Sequence, residues 1–173
     1  MSVVATSFAP PEKGRNGKAI RSPDPCIVLR SASRALTRFY DLVLAPSGMK
    51  SSQFIILYAI FEKSEIAQWE LAKVYSISSE ALSRRLSGLR RLGLIEMRFG
   101  PHHSERLYRL TEQGQDKLQA VLPFWLRAQE RFLQIVGTSN WDLMLRTAAE
   151  AIGAAQAAET VRLANKTTAV RYL

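Results

Sequence analysis

Seven arginines fall between positions 84 and 109: Arg84, Arg85, Arg90, Arg91, Arg98, Arg106 and Arg109, against only Glu96 and Glu105. A guanidinium is always charged and presents paired donors in one plane, which suits phosphates and the acceptor edges of bases. Four of the seven lie in SSEALSRRLSGLRRLGL (78–94). There Ala81 or Leu82, Leu86 and Leu89 recur at spacings of three and four, the mark of a helix with one buried stripe. Ser79, Glu80, Ser83, Arg84, Ser87 and Gly88 are left on or near the opposite face. Arg84 and Arg85 are placed to reach base edges or phosphates. Arg90 and Arg91 come one to two turns later and suit phosphates or the negative end of the helix. The plainer reading is a solvated arginine-rich helix.

Other residue types with chemistry to offer are scarce. Cys26 is the single cysteine, which excludes an internal disulfide and suits a reducing cytosol. His102 and His103 are the only histidines, and with Glu105 they put three donor side chains in one connector, which is not the spacing of a metal site. No glycine-rich phosphate loop and no Ser/His/Asp arrangement is present, so an enzyme is not expected, nor a cofactor.

The elements that must position the arginines follow from the same patterns. AQWELAKVYSI (67–77) reads as a short helix with Leu71, Ala72 and Tyr75 inward. A tight Tyr75-Ser76-Ile77 turn joins it to the arginine helix, which Ser78 or Ser79 caps and Gly93 ends. Alternating residues then predict two strands, Leu94–Phe99 and Arg106–Thr111, around the polar connector Gly100–Glu105. Two short helices and a hairpin make a winged helix-turn-helix, whose second helix fits the major groove of DNA. Upstream, Leu29, Ala32, Leu36, Phe39, Tyr40 and Val43 form the stripe of a helix from Cys26 that Pro46-Ser47-Gly48 stops. Ser51 or Ser52 caps the next helix, with Phe54, Leu57, Tyr58 and Phe61 inward. Downstream, Thr111-Glu112-Gln113-Gly114 opens a long helix with Leu118, Val121, Leu122, Trp125, Phe132, Ile135 and Val136 apolar and a kink expected at Pro123. After Gly137, Ser139 or Asn140 caps a last helix with Trp141, Leu145, Ala148, Ala149, Ile152, Ala155 and Ala158 on one face, fraying from about Asn165.

The chain has 173 residues, 47% of them hydrophobic, and a formal net charge of +9. That composition supports a packed core and excludes wholesale disorder. No apolar run reaches the roughly 18 residues of a membrane span. The expected organisation is a flexible basic arm over 1–24, a winged helix domain over 25–160 and a tail over 161–173. Within the domain the DNA-binding unit covers about 51–111. The fold class is mostly α with a small β-hairpin wing, and the chain is expected to be cytoplasmic.

The stretch resembles the MarR family of bacterial transcription regulators. LAPSGMKSSQFIILYAIF resembles that family's linker and second helix, ELAKVYSISSEALSRRLSGLRRLGLI its helix-turn-helix, and RLYRLTEQG the end of its wing and the start of its fifth helix. The likeness covers roughly 26–160. It implies a homodimer held by helices at about 26–45 and 112–160, reading a pseudo-palindromic operator in double-stranded DNA, and a repressor released by a small organic effector. At the wing tip the family carries an Asp and Arg pattern where this chain has Pro101-His102-His103-Ser104-Glu105-Arg106, so Arg106 and the two histidines are the candidates for the minor groove. The DNA-binding set is therefore Ser79, Glu80, Ser83, Arg84, Arg85, Arg90, His102, His103 and Arg106. The family's effector crevice implies Arg30, Arg34, Tyr40 and Trp69 as lining residues, and arginines there suit an aromatic acid. The spacing of Cys26, Tyr40 and Gln53 is similar to the family's peroxide-sensing branch, which makes a redox role for Cys26 an alternative. A winged helix that binds proteins in place of DNA is the other.

Overall fold

The computed structural model describes residues 24–101 and 105–170. The arm expected before Asp24 and the histidine pair lie outside the described residues. Two compact units result, one through Ala128 and the other from Gln129.

In the first unit, helix α1 spans Pro25–Leu44. Asp24 caps it: its Oδ1 accepts from the backbone N–H of Cys26 at 2.9 Å and of Ile27 at 3.3 Å. Pro25 fits the first helical position, where no N–H is needed. A 3-10 turn over Ala45–Ser47 and Gly48, left-handed at φ 68°, then redirect the chain. Helix α2 spans Ser51–Lys63. The expected serine cap gives way to Lys50, whose N–H donates to Gln53 Oε1 at 2.9 Å. Ser51 is the first helical residue instead, and its N–H donates to Asp41 of α1 at 2.7 Å. A carboxylate brought in by the tertiary fold displaces the local hydroxyl.

The buried face of α2 also differs from expectation. Phe54, Ile56, Leu57 and Ile60 are buried, whereas Tyr58 and Phe61 are 42% and 51% exposed. Residues 54–61 are all apolar, so spacing alone cannot choose a face; packing against neighbours on more than one side does.

Strand β1, Ile66–Ala67, follows, then α3, Gln68–Tyr75, and α4, Ser79–Arg91. Strands β2, Ile95–Phe99, and β3, Arg106–Leu110, form the wing. The sheet is antiparallel in the order β1-β3-β2, with Ile66 opposite Tyr108 and Met97 opposite Tyr108 on the other side. The hairpin expected from sequence is thus the larger part of a three-stranded sheet. Two residues are too few to show alternation, so β1 carries no signal in sequence.

Leu44, Phe54, Ile56, Leu57, Ile60, Leu71, Leu82, Leu86, Leu89 and Val121 are the largest fully buried side chains among the described residues. Leu82, Leu86 and Leu89 of α4 belong to this core, so the outer face of the helix is fixed in direction. Helix α5, Glu112–Val136, begins in this unit and contains Pro123 without interruption of the helix. Trp125 stacks on Phe54 with ring centroids 4.4 Å apart and meets Tyr40 at 4.5 Å. The first turn of α5 is locked to the end of α4. Thr111 Oγ1 donates to the Gly93 carbonyl at 2.5 Å and accepts from the Gly114 N–H at 3.0 Å, and the Thr111 N–H donates to the Leu94 carbonyl at 3.2 Å. A Cβ on Gly114 would overlap that Leu94 carbonyl oxygen, so only glycine fits.

In the second unit α5 ends at Gly137, left-handed at φ 78°, and α6 runs over Thr138–Val170. Asn140 does not cap α6; its side-chain amide donates to the Val136 carbonyl at 2.8 Å and closes the end of α5. Fraying from Asn165 is not observed, since the backbone stays helical through Val170. Leu143, Leu145 and Ile152, on the helix expected to bury an apolar face, are each more than half exposed in the single chain.

Candidate nucleic-acid interface

Helix α4 is built to be held from one side and to present the other. Ser78 caps it, accepting from the Ala81 N–H at 3.3 Å. Leu82, Leu86 and Leu89 are each 1% exposed or less. Helical spacing places Glu80, Arg84, Ser87 and Arg91 in one outward row, and all four are exposed. Ser83 and Arg90 stand on one flank of this row and Arg85 on the other. Ser79 is exposed in the first turn.

Charges sort the arginines into two groups. Arg98 makes a two-pronged pair with Glu65, and its Nε donates at 2.5 Å. Arg109 Nε donates to Glu96 at 2.6 Å. These two brace the sheet. Arg84, Arg85, Arg90, Arg91 and Arg106 enter no ion pair with a described residue, so their positive charge is available to an outside anion. The Glu80 carboxyl is held below its ordinary pKa, first by its own backbone N–H, then by the Ser78 hydroxyl and the charge of Arg84. It is therefore an ionised acceptor on the outward row at neutral pH. Glu65 is likewise lowered, chiefly by hydrogen bonding from Arg98.

Between the last turns of α4 and strand β2 lies an open furrow of about 490 Å³, lined by Ser87, Arg90, Arg91, Ile95, Glu96 and Met97. Ser87 and Arg91, already on the outer face by sequence, complete the outward row from Glu80 and Arg84 at spacings of four and three. Arg106 is exposed at the start of β3, and Glu105 beside it accepts from the Trp69 indole N–H at 3.2 Å.

Segment 65–69 grips every part of this unit. Glu65 holds Arg98 of β2, Ile66 and Ala67 pair with β3, and Trp69 holds Glu105 at the connector between β2 and β3. Gln68 joins two more elements: its Nε2 donates to Ser83 Oγ on α4 at 2.7 Å, and its Oε1 accepts from the Tyr108 hydroxyl on β3 at 3.2 Å. The Tyr75 hydroxyl donates to the Ile55 carbonyl at 2.6 Å and fixes the turn between α3 and α4. Burial raises the Tyr75 pKa, so the hydroxyl stays a donor. None of these supports is visible as a spacing in sequence, because each joins residues 15 or more positions apart.

The residues implied for an effector site stand in different settings. Arg30 and Arg34 are exposed on α1, and Arg34 donates to Ser31 at 3.4 Å. Tyr40 is 8% exposed against Trp125, and burial raises its pKa. Trp69 is 62% exposed and committed to Glu105. Cys26 is exposed in the first turn of α1. The amides that would stabilise a thiolate there already serve the Asp24 carboxylate, a neighbouring negative charge. At 1.5 Å per residue, Tyr40 sits about 21 Å up the same helix, beyond the reach of Cys26 within one chain.

The geometry has close counterparts. No family model matches the chain. It is 31% identical to the transcriptional regulator MosR of M. tuberculosis, solved in complex with DNA, covering 78% of this chain and 97% of that one with a TM-score of 0.70. Among curated proteins it is 30% identical over 91 residues to YdgJ, an uncharacterized HTH-type transcriptional regulator of Bacillus subtilis (strain 168), covering 52% of this chain and 53% of that one. The chain thus spans about half the length of this curated relative. PcaV of Streptomyces coelicolor, solved with its natural ligand, shares the fold at 18% identity, 77% and 94% coverage and a TM-score of 0.68. The chain belongs to the MarR family of winged helix-turn-helix transcription regulators, a family of regulators and not of enzymes. No helix among the described residues is long and apolar enough to cross a membrane.

Proposed function

We propose that the protein is a homodimeric, sequence-specific regulator that binds a pseudo-palindromic operator and represses until a small organic effector releases it. The observation that carries the DNA reading is the outward row of α4, where Arg84 and Arg91 are unpaired among the described residues while the opposite face is fully buried. Helix α4 enters the major groove, with Arg84 and Arg85 at base edges or phosphates and Glu80 accepting from a cytosine amino group. The wing, with Arg106 and the His102-His103 pair, lies along the adjacent minor groove. The phosphate ridge between the two grooves then crosses the furrow, where Arg90 and Arg91 meet it. MosR in its DNA complex supports this mode.

The dimer is supported by apolar surface that a single chain leaves in water. Ile27, Val28 and Leu29 on α1 and Leu143, Leu145 and Ile152 on α6 are all at least 40% exposed. An aromatic acid remains the effector class, taken by Arg30, Arg34, Tyr40 and Trp69; the ligand complex of PcaV supports a ligand-responsive regulator.

The test is binding to the DNA upstream of the protein's own coding region, read across a salt series. Arg84→Ala is expected to weaken binding by about 1–3 kcal/mol, roughly five- to 150-fold. Arg38→Ala, on the exposed side of α1, is expected to change it little. Equal affinity of Arg84→Ala and the native chain would sink the assignment of α4 and favour a winged helix that binds protein.

A further inference from the structure

Ser83 is half-buried on the flank of α4 that faces the wing, and its hydroxyl oxygen is already engaged as an acceptor by Gln68 Nε2 at 2.7 Å. A hydroxyl has one proton to give. Among the described residues no hydrogen bond has the Ser83 hydroxyl as its donor. The Gln68 amide bridges two hydroxyls: its Nε2 faces Ser83, and its Oε1 accepts from Tyr108, whose ring is 4% exposed and whose hydroxyl is 3.2 Å away. In this arrangement donation runs from β3, through the start of α3, to α4.

We infer that Gln68 is a positioning residue for sequence readout: it holds Ser83 with its proton directed outward, so that α4 offers a donor at this position and selects a base that presents an acceptor. Guanine O6 and N7, adenine N7 and thymine O4 are such acceptors in the major groove, and the cytosine amino group is not. The inference rests on the DNA-reading proposal above. It adds a residue that never touches DNA yet decides what one contact can read.

The experiment is selection from a duplex library randomised over about 20 base pairs, using the full chain and three variants. The native chain is expected to enrich a consensus with an acceptor-bearing base at one position per half-site. Ser83→Ala and Gln68→Met are expected to lose that preference about five- to tenfold at the same position, and the double variant to lose no more than either alone. Preferences elsewhere and the slope of affinity against salt stay as in the native chain, because no phosphate contact is removed. Gln68→Glu separates positioning from mere support. A carboxylate accepts from both Tyr108 and Ser83, which turns the serine proton inward and leaves its lone pairs facing out. Its preference at this position is expected to move toward cytosine or adenine, which present amino donors.

An unchanged consensus with Gln68→Met, or a loss spread evenly over all positions, overturns the role of Gln68 while leaving the regulator reading intact. If Gln68→Met does not fold, the Gln68→Glu preference decides: no change of base overturns the inference. Failure of the native chain to enrich any sequence overturns the DNA reading and this inference with it.

Discussion

The reading unit and the long α6 helix solve opposite problems with similar residues. In α4, Leu82, Leu86 and Leu89 vanish into the core, Ser78 caps the helix, and neighbouring elements bond it at its flank and just past its end. In α6, Leu143, Leu145 and Ile152 stay more than half exposed. A helix that must be aimed at a target is completed within its own chain. A helix with leucines left in water has a stability that depends on something beyond it, and a second copy is our reading. The contrast teaches that the apolar count of a helix says little about where its partner lies.

The largest expected effect tests the self-contained side of this contrast. Leu86→Ala should lower unfolding free energy by about 2–5 kcal/mol, with the denaturation midpoint independent of protein concentration. Leu145→Ala, by the same chemistry on α6, should lower the midpoint only in a concentration-dependent way and shift sedimentation toward the monomer. If the two behave alike, the contrast fails.

Gly114→Ala should cost about 1–3 kcal/mol, because the new methyl group drives the first turn of α5 off the Leu94 carbonyl. Urea denaturation checks it, and a loss under a few tenths would mean the junction is slack. Tyr75→Phe removes the bond to the Ile55 carbonyl and should cost about 1 kcal/mol in the same measurement. The smallest effect is a pH dependence. Glu65 has a lowered folded-state pKa, so its pairing with Arg98 contributes fully above the ordinary glutamate value, near 4.3, and is lost as pH falls through the lowered one. Glu65→Gln should flatten that part of the stability profile, and a profile unchanged from the native chain would show that the brace is idle.

Much of the fold was legible because it rests on short-range patterns. The stripe of Leu82, Leu86 and Leu89 gave the orientation of α4, and alternation gave β2 and β3 within a residue of their ends. The face of α2 was not legible, since residues 54–61 are uniformly apolar and only three-dimensional packing chooses among them. The caps of α2 and α6 were misplaced for a related reason: Asp41 and Asn140 act across turns or between helices, and a serine nearby is no guide to them.

The sequence by itself determined the arginine row, the buried stripe behind it and the order of elements, because helical and strand periods are local properties of the chain. Tertiary structure decided which arginines are spent on Glu65 and Glu96, where the third strand forms, and that Gln68 lies between Tyr108 and Ser83. Those outcomes depend on residues brought together from 13 to 42 positions apart, and such distances are set by the packing of the whole unit and by no local period.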